Sequence, residues 1–205
     1  MSAEQQSGAA AIPEEERARA NVYALLGRLF YAAPDERLLA EIRAQDSGMP
    51  PAGGDDVSRA WSRLIEAAGS GQTSVLQEEY EALFGGAGKA LVTPYTSHYI
   101  KDTAPDRHLV ALRETLAEWG MMRRTMTFEI EDHSAAICDV MRLLIERNKL
   151  LDMQKTFFCR FVLPGMLPLC NAIEGIERAS FYRNVAGLAR AFLELENTAF
   201  DMVDS

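Results

Sequence analysis

The sequence predicts an all-α helical bundle. Apolar residues recur at three- and four-residue spacing in one segment after another, the signature of helices with one buried face. No segment alternates apolar and polar residues as a strand does, and no Asn-Gly or Asp-Gly pair marks a hairpin. Proline, glycine and capping residues separate the periodic segments.

The elements follow in order. Pro13 before Glu14, Glu15 and Glu16 starts a helix, because proline tolerates the first turn and acids favour its positive end. Val22, Leu25, Leu26, Leu29 and Phe30 give that helix its stripe, and Ala33-Pro34-Asp35 breaks it. Leu38, Leu39 and Ile42 mark a short second helix. Residues 46–54 form a Pro/Gly loop. Asp55 or Asp56 is placed to cap a third helix carrying Val57, Trp61, Leu64, Ile65 and Ala68. After Gly69-Ser70-Gly71, Ser74 and Gln77 have capping-box spacing ahead of Leu76, Tyr80, Leu83 and Phe84.

Residues 85–105 are too rich in Gly and Pro for a helix and long for a plain connection, as functional loops are. Periodicity resumes with Leu109, Leu112, Leu116 and Trp119. A polar interruption leads to a helix with Ile137, Val140, Met141, Leu144 and Ile145, capped by Asp132 or Ser134. Phe157, Phe158, Phe161 and Val162 follow, and Leu163-Pro164-Gly165 is expected to stop them. Leu169, Ile173 and Ile176 mark another helix. Phe181, Val185, Leu188, Phe192 and Leu195 mark the last.

A chain of 205 residues buries about 70% of its unfolded surface, enough for one core without staples. It reads as one domain over 13–205 after a disordered leader at 1–12. With 48% hydrophobic and 25% charged residues, the composition excludes general disorder. The formal charge of −9 disfavours nucleic acid and suits a basic partner. Cys138, Cys159 and Cys170 form no CxxC pair and read as buried free thiols in a reducing compartment. The N-terminus has no basic or apolar signal region, and no apolar window is long enough to span a membrane. A cytoplasmic protein is expected.

Gly85-Gly86-Ala87-Gly88-Lys89 resembles a P-loop only superficially. The motif needs Gly at Leu83, Ser or Thr at Ala90, and a strand before it. The cluster Glu129-Ile130-Glu131-Asp132-His133 places three acids beside an imidazole, which favours the charged imidazole. Acid–base catalysis would want a nucleophile, and a metal would want further ligands at suitable spacing, which His98 and His108 do not supply. An arginine-rich partner needs only exposed carboxylates. The structural alternative is Asp132 as a helix cap with His133 half buried. Tyr95 and Tyr99 either tuck onto the core or line a groove for an apolar peptide.

Three motifs in order resemble the TorD/DmsD family, related to NarJ, of cytoplasmic molybdoenzyme maturation chaperones. They are Tyr23-Ala-Leu-Leu-Gly-Arg-Leu-Phe-Tyr31 with Pro34; Glu79-Tyr80-Glu81-Ala82-Leu83-Phe84 followed by Pro94-Tyr95-Thr96-Ser97-His98-Tyr99; and Glu129-x-x-Asp132-His133. Phe181-Tyr182-Arg183 through Phe192-Leu193 also resembles the family's last helix. Ile130 and Ala87 stand where the family has Pro, and Phe161-Val162-Leu163-Pro164-Gly165 replaces its H-L-x-P-W. The resemblance implies an all-α fold and no catalysis; the missing ligand spacings predict no bound metal, and no cofactor is expected. The resemblance also implies binding of the twin-arginine leader of a molybdoenzyme catalytic subunit, by a monomer or a domain-swapped homodimer. The leader-binding residues it implies are Tyr80, Leu83, Phe84, Pro94, Tyr95, Ser97, Tyr99, Glu129, Asp132 and His133. The clients left open include formate, dimethyl sulfoxide, trimethylamine oxide, nitrate and hydrocarbon oxidoreductases. Two rivals stand beside this reading: a small acid–base or metal-dependent enzyme using Glu129 and His133, and an interaction module unrelated to export.

Overall fold

The computed structural model describes residues 12–44, 55–85, 90–100, 104–121 and 131–202. Residues 1–11 of the expected leader, the whole 46–54 loop, residues 86–89 of the glycine-rich segment, and Glu129 with Ile130 lie outside them. Within the described residues the protein is all helix, with one isolated bridge, Tyr95 to His133, outside the helices.

Helix α1 (Glu14–Tyr31) begins after Pro13 with three acids in its first turn. Helix α2 (Glu36–Arg43) is capped by Asp35, whose side chain accepts from the Leu38 amide at 2.8 Å. Helix α3 (Asp55–Ser70) buries Val57, Ala60, Trp61, Leu64 and Ala68. Helix α4 (Thr73–Phe84) starts two residues too early for the expected capping box: its cap position is Gln72, and no side chain caps it.

Helix α5 (Pro105–Glu118) closes with left-handed Gly120, φ 65°. The Met121 amide donates to Leu116 O at 2.8 Å and the Gly120 amide to Ala117 O at 3.0 Å, a Schellman pattern. Helix α6 (Ser134–Glu146) ends the same way, with Asn148 in the left-handed position, one of the few side chains that tolerates it. Its cap is His133, not the expected Asp132 or Ser134.

Helix α7 (Leu151–Phe157) runs without a break through a π segment (Phe158–Val162) into α8 (Leu163–Glu174). The expected stop at Leu163-Pro164-Gly165 does not occur. The Leu163 amide reaches back five residues to Phe158 O, and Pro164 sits at the start of α8. Widening the turn before a proline relieves the clash of its ring with the preceding carbonyls. The run Leu151–Glu174 is long and apolar enough to cross a membrane, yet half of its most apolar window is buried against the other helices. Helix α9 (Phe181–Met202) completes the chain's described helices.

Helix α1 packs along α6, while α9 packs against α8 and α3. Tyr23, Phe30, Phe157, Phe158, Phe161 and Tyr182 are fully buried in the shared core. A charged clasp joins the α1 and α9 helices. Arg19 donates from Nε and Nη2 to the two Glu196 oxygens, each at 2.7 Å. Its Nη1 reaches Glu16 at 2.8 Å and Gln154 at 3.1 Å, and the Tyr23 hydroxyl donates to Glu196 at 3.1 Å. Burial, then the Glu196 charge, hold the Tyr23 phenol well above its ordinary pKa.

Cys138 and Cys170 are buried, and burial pushes the Cys170 thiol up to about 12. Cys159 is exposed, against expectation. Phe157, Phe158, Phe161 and Val162 point inward, so the face between them carries Cys159 and Arg160 outward.

Candidate functional site

The residues singled out in the sequence fall into two groups. Tyr80, Leu83 and Phe84 belong to the first. Tyr80 donates its hydroxyl to Tyr31 O at 2.7 Å and to Phe30 O at 3.2 Å, covering carbonyls that the end of α1 leaves free. Tyr80 and Phe84 form an aromatic cluster with Phe30 and Tyr182, ring centroids 5.2–6.3 Å apart. Glu79 completes the group. Its carboxylate accepts from the amides of Ser180, Phe181 and Tyr182 at 2.8, 3.1 and 2.8 Å. A side chain from α4 therefore caps the start of α9, where free amides and the helix dipole favour negative charge. The Glu-Tyr-x-x-Leu-Phe motif joins α1, α4 and α9. Sequence reasoning quoted Glu79 without assigning it this part, because the capped amides lie a hundred residues away.

Pro94, Tyr95, Ser97, Tyr99, Asp132 and His133 form the second group. The loop before the 3₁₀ turn (Thr96–Tyr99) lies across the start of α6. The Ser134 amide donates to Pro94 O at 2.8 Å, and the Thr96 amide and hydroxyl both donate to Asp132 O, at 2.9 and 3.0 Å. Ser97 donates its hydroxyl to the Asp132 carboxylate in a short bond. Tyr95 meets His133 edge to face at 5.4 Å. His133 Nδ1 accepts from the Ala135 amide at 3.2 Å, so that nitrogen carries no proton while it caps α6. Tyr99 donates to Thr93 O at 2.9 Å, and burial raises its phenol to about 12.

Asp132 is 3% exposed, so it is not an open carboxylate of the kind expected to grip arginines, and His133 is 5% exposed. Asp132 instead holds the loop. The carboxylates that do reach solvent beside it are Glu131, paired with Arg113 at 2.9 Å, and Asp139, paired with Arg142 at 2.7 Å. Among the described residues no three His, Cys, Asp or Glu side chains gather to hold a metal.

A contact invisible in the sequence fixes the loop from behind. A Cβ on Gly165 of α8 would lie 2.4 Å from Thr96 Cβ and 2.9 Å from Thr96 O. Only glycine lets α8 and the loop approach so closely. His108 packs on Phe161 at 5.4 Å, 6% exposed, and its Nε2 has no hydrogen-bond partner among the described residues; the same is true of Ser134 Oγ. Burial lowers the His108 pKa, partly countered by the Asp132 charge and reinforced by Arg160.

Two clefts flank the first half of α6. One, about 420 Å³, opens between α1 and α6 and is lined by Gly27, Tyr31, Ala135, Ala136 and Asp139 among others. The other, about 170 Å³, opens toward α5 beside Leu116, Met121, Glu131, Val140 and Leu143. The arrangement is a rigid polar junction between apolar recesses, with carboxylates at the rim.

Residues 51–164 match the family of nitrate reductase delta subunits. The fold is similar to that of a candidate redox enzyme maturation protein from Archaeoglobus fulgidus, with a TM-score of 0.55 over 87% of this chain and 93% of that one. The two are 20% identical, so this likeness concerns the fold. No curated protein matches the sequence.

Proposed function

The chain belongs to the nitrate reductase delta subunit family, and from that footing we propose that it binds the twin-arginine leader of a molybdoenzyme catalytic subunit in the cytoplasm and covers it until the enzyme is mature. The family is one of redox-enzyme maturation chaperones, so the chain is a maturation protein and not an enzyme. The observation that carries the leader reading is the pinned junction of residues 94–99 with the start of α6, bordered by apolar clefts and rim carboxylates.

A twin-arginine leader presents guanidinium groups followed by an apolar stretch. Glu131 and Asp139, with Glu129 from the sequence motif, would accept the guanidiniums in charge-assisted bonds, displacing Arg113 and Arg142. The apolar stretch would lie as a helix against the α1–α6 cleft, with Tyr95 at its edge. Asp132 acts indirectly, by holding Ser97 and Thr96 in place. Ordering the leader costs entropy, so affinity is expected to be moderate.

Calorimetry with twin-arginine leader peptides of molybdoenzyme catalytic subunits tests the reading. Losing one charge-assisted contact in Glu129→Gln or Asp139→Asn should weaken binding by about 1.5–3 kcal/mol, roughly tenfold to 150-fold, with melting unchanged. Asp132→Asn should lower both affinity and melting temperature. No binding to wild type removes the leader reading. Equal affinity in both rim variants removes the carboxylate grip alone.

A further inference from the structure

We propose that the groove between α3 and α9 is a second binding site, for a small molecule bearing a diphosphate or longer phosphate chain. The groove holds about 530 Å³, within the range of small-molecule pockets, and its walls are polar. Arg59 and Arg63 line it from α3, and Arg183 and Arg190 from α9. Four of the 21 basic residues thus gather in one groove of a chain whose formal charge is −9.

Their pairing separates them into two kinds. Arg59 is held by Asp56, and Arg190 by Glu174 at 3.2 Å and Glu194 at 3.8 Å. The other two carry no answering charge. Arg183 donates only to backbone carbonyls, Ile176 O at 2.9 Å and Glu177 O at 3.4 Å. Arg63 makes no ion pair or hydrogen bond among the described residues. These two stand on opposite walls. Between them lie small residues, Ala60, Gly187 and Ala191, that leave the groove deep.

A planar guanidinium presents a fork of donors that fits the oxygens of a phosphate group. Two unanswered forks lining one groove from different helices suit a ligand with two linked anionic groups better than one with a single group. A diphosphate meets that requirement with little loss of freedom, because its two charged centres are already joined. A peptide carboxylate offers one such group per flexible side chain. Asp56, Glu174 and Glu194 also line the groove but are taken up by Arg59 and Arg190, so an anion is left to Arg63 and Arg183, and binding should weaken with salt.

The probe is inorganic pyrophosphate, titrated by calorimetry into the full chain at low ionic strength. The expected result is saturable one-to-one binding, with orthophosphate at least tenfold weaker. Arg63→Gln and Arg183→Gln should each weaken pyrophosphate about tenfold, and the double variant should abolish measurable binding while melting as wild type does. Arg63→Lys should fall between wild type and Arg63→Gln, because lysine keeps the charge and loses the fork. Leader-peptide affinity should be the same in the double variant, which separates this site from the leader reading. The proposal is overturned by no saturable binding to wild type, by undiminished binding in the double variant, or by a hexaglutamate peptide that binds more tightly than pyrophosphate. Loss of leader binding in a well-folded double variant would overturn it as well, by merging the two sites.

Discussion

Two buried polar networks in this protein answer their charges differently. In the clasp between α1 and α9, Arg19 and Glu196 meet through two parallel bonds, and Glu16, Gln154 and Tyr23 take up the remaining capacity. At the start of α6, Asp132 is satisfied by Ser97, but His108 Nε2 and Ser134 Oγ nearby have no partner among the described residues. A complete network rigidifies the core it sits in, whereas unpaired buried polar atoms lower stability and concentrate where a fold serves something besides itself. The first network therefore belongs to the fold, and the second belongs to the proposed docking junction.

The largest effect expected from breaking this contrast is at the clasp. Glu196→Gln removes the doubly bonded carboxylate and leaves the Arg19 guanidinium with Glu16 as its remaining ion-pair partner. Removing one partner of a buried pair costs about 3–5 kcal/mol, and the lower end applies because the Arg19 side chain keeps 18% exposure. For a chain of this size the melting temperature should fall by roughly 6–12 °C. Calorimetric melting checks this, and leader affinity measured below the transition should not change. A drop of only a degree or two would show that the clasp contributes nothing beyond a surface pair.

At the junction, Gly165→Ala should cost about 1–3 kcal/mol, the usual penalty for forcing a methyl group into a packed space. It should also weaken leader binding, because Thr96 must move and the loop with it. Denaturation and peptide calorimetry on the same variant report the two losses. Gly69→Ala is the control. It lies in α3 with nothing within 4 Å of the added methyl, and is expected to stabilise by about 0.4–1 kcal/mol without touching binding. If Gly165→Ala behaved like Gly69→Ala, the close approach would have no functional meaning.

The smallest effect is with pH. Burial holds the His108 pKa below its unfolded value of 6.5. Above that value both states are neutral and His108 adds no pH dependence. As pH falls below it, the unfolded chain takes up the proton first, so stability declines until the folded imidazole also titrates. Urea melts between pH 7.5 and 5 should show a shallower decline in His108→Phe than in wild type, with Asp132 and Arg160 left in place. An identical slope in both would remove His108 as its source.

Much of this architecture was legible in the residues. Pro13 with its three following acids marks the start of α1, and the apolar spacing of Val22 through Phe30 marks the face it buries. The junction residues were legible as a motif, since Tyr95 and His133 do meet. Their burial was legible only as one of two alternatives, Asp132 as a cap with His133 half buried and the tyrosines tucked onto the core. Glu129 through His133 reads as a solvated acidic run, and only the fold brings Ser97 and the Thr96 donors onto Asp132 to draw it inward. The passage of the chain through Pro164 was hidden for a similar reason. Local rules treat Leu-Pro-Gly as a stop, whereas a widened turn at Phe158–Val162 accommodates the ring and packing on Thr96 demands the glycine. Ser74 and Gln77 show the reverse case, a capping signal with correct spacing that the helix bypasses by starting at Thr73. What escaped the sequence in each case is a contact between distant parts of the chain.

The clasp also sets an order in time. Arg19 and Glu196 are 177 positions apart, and at ordinary rates of synthesis roughly 9–35 s pass between the appearance of one and the other. Throughout that interval Arg19 has Glu16 of its own helix but lacks Glu196, and α4 presents Glu79 before the amides it caps have been made. The clasp and this cap therefore close only once α9 has been made.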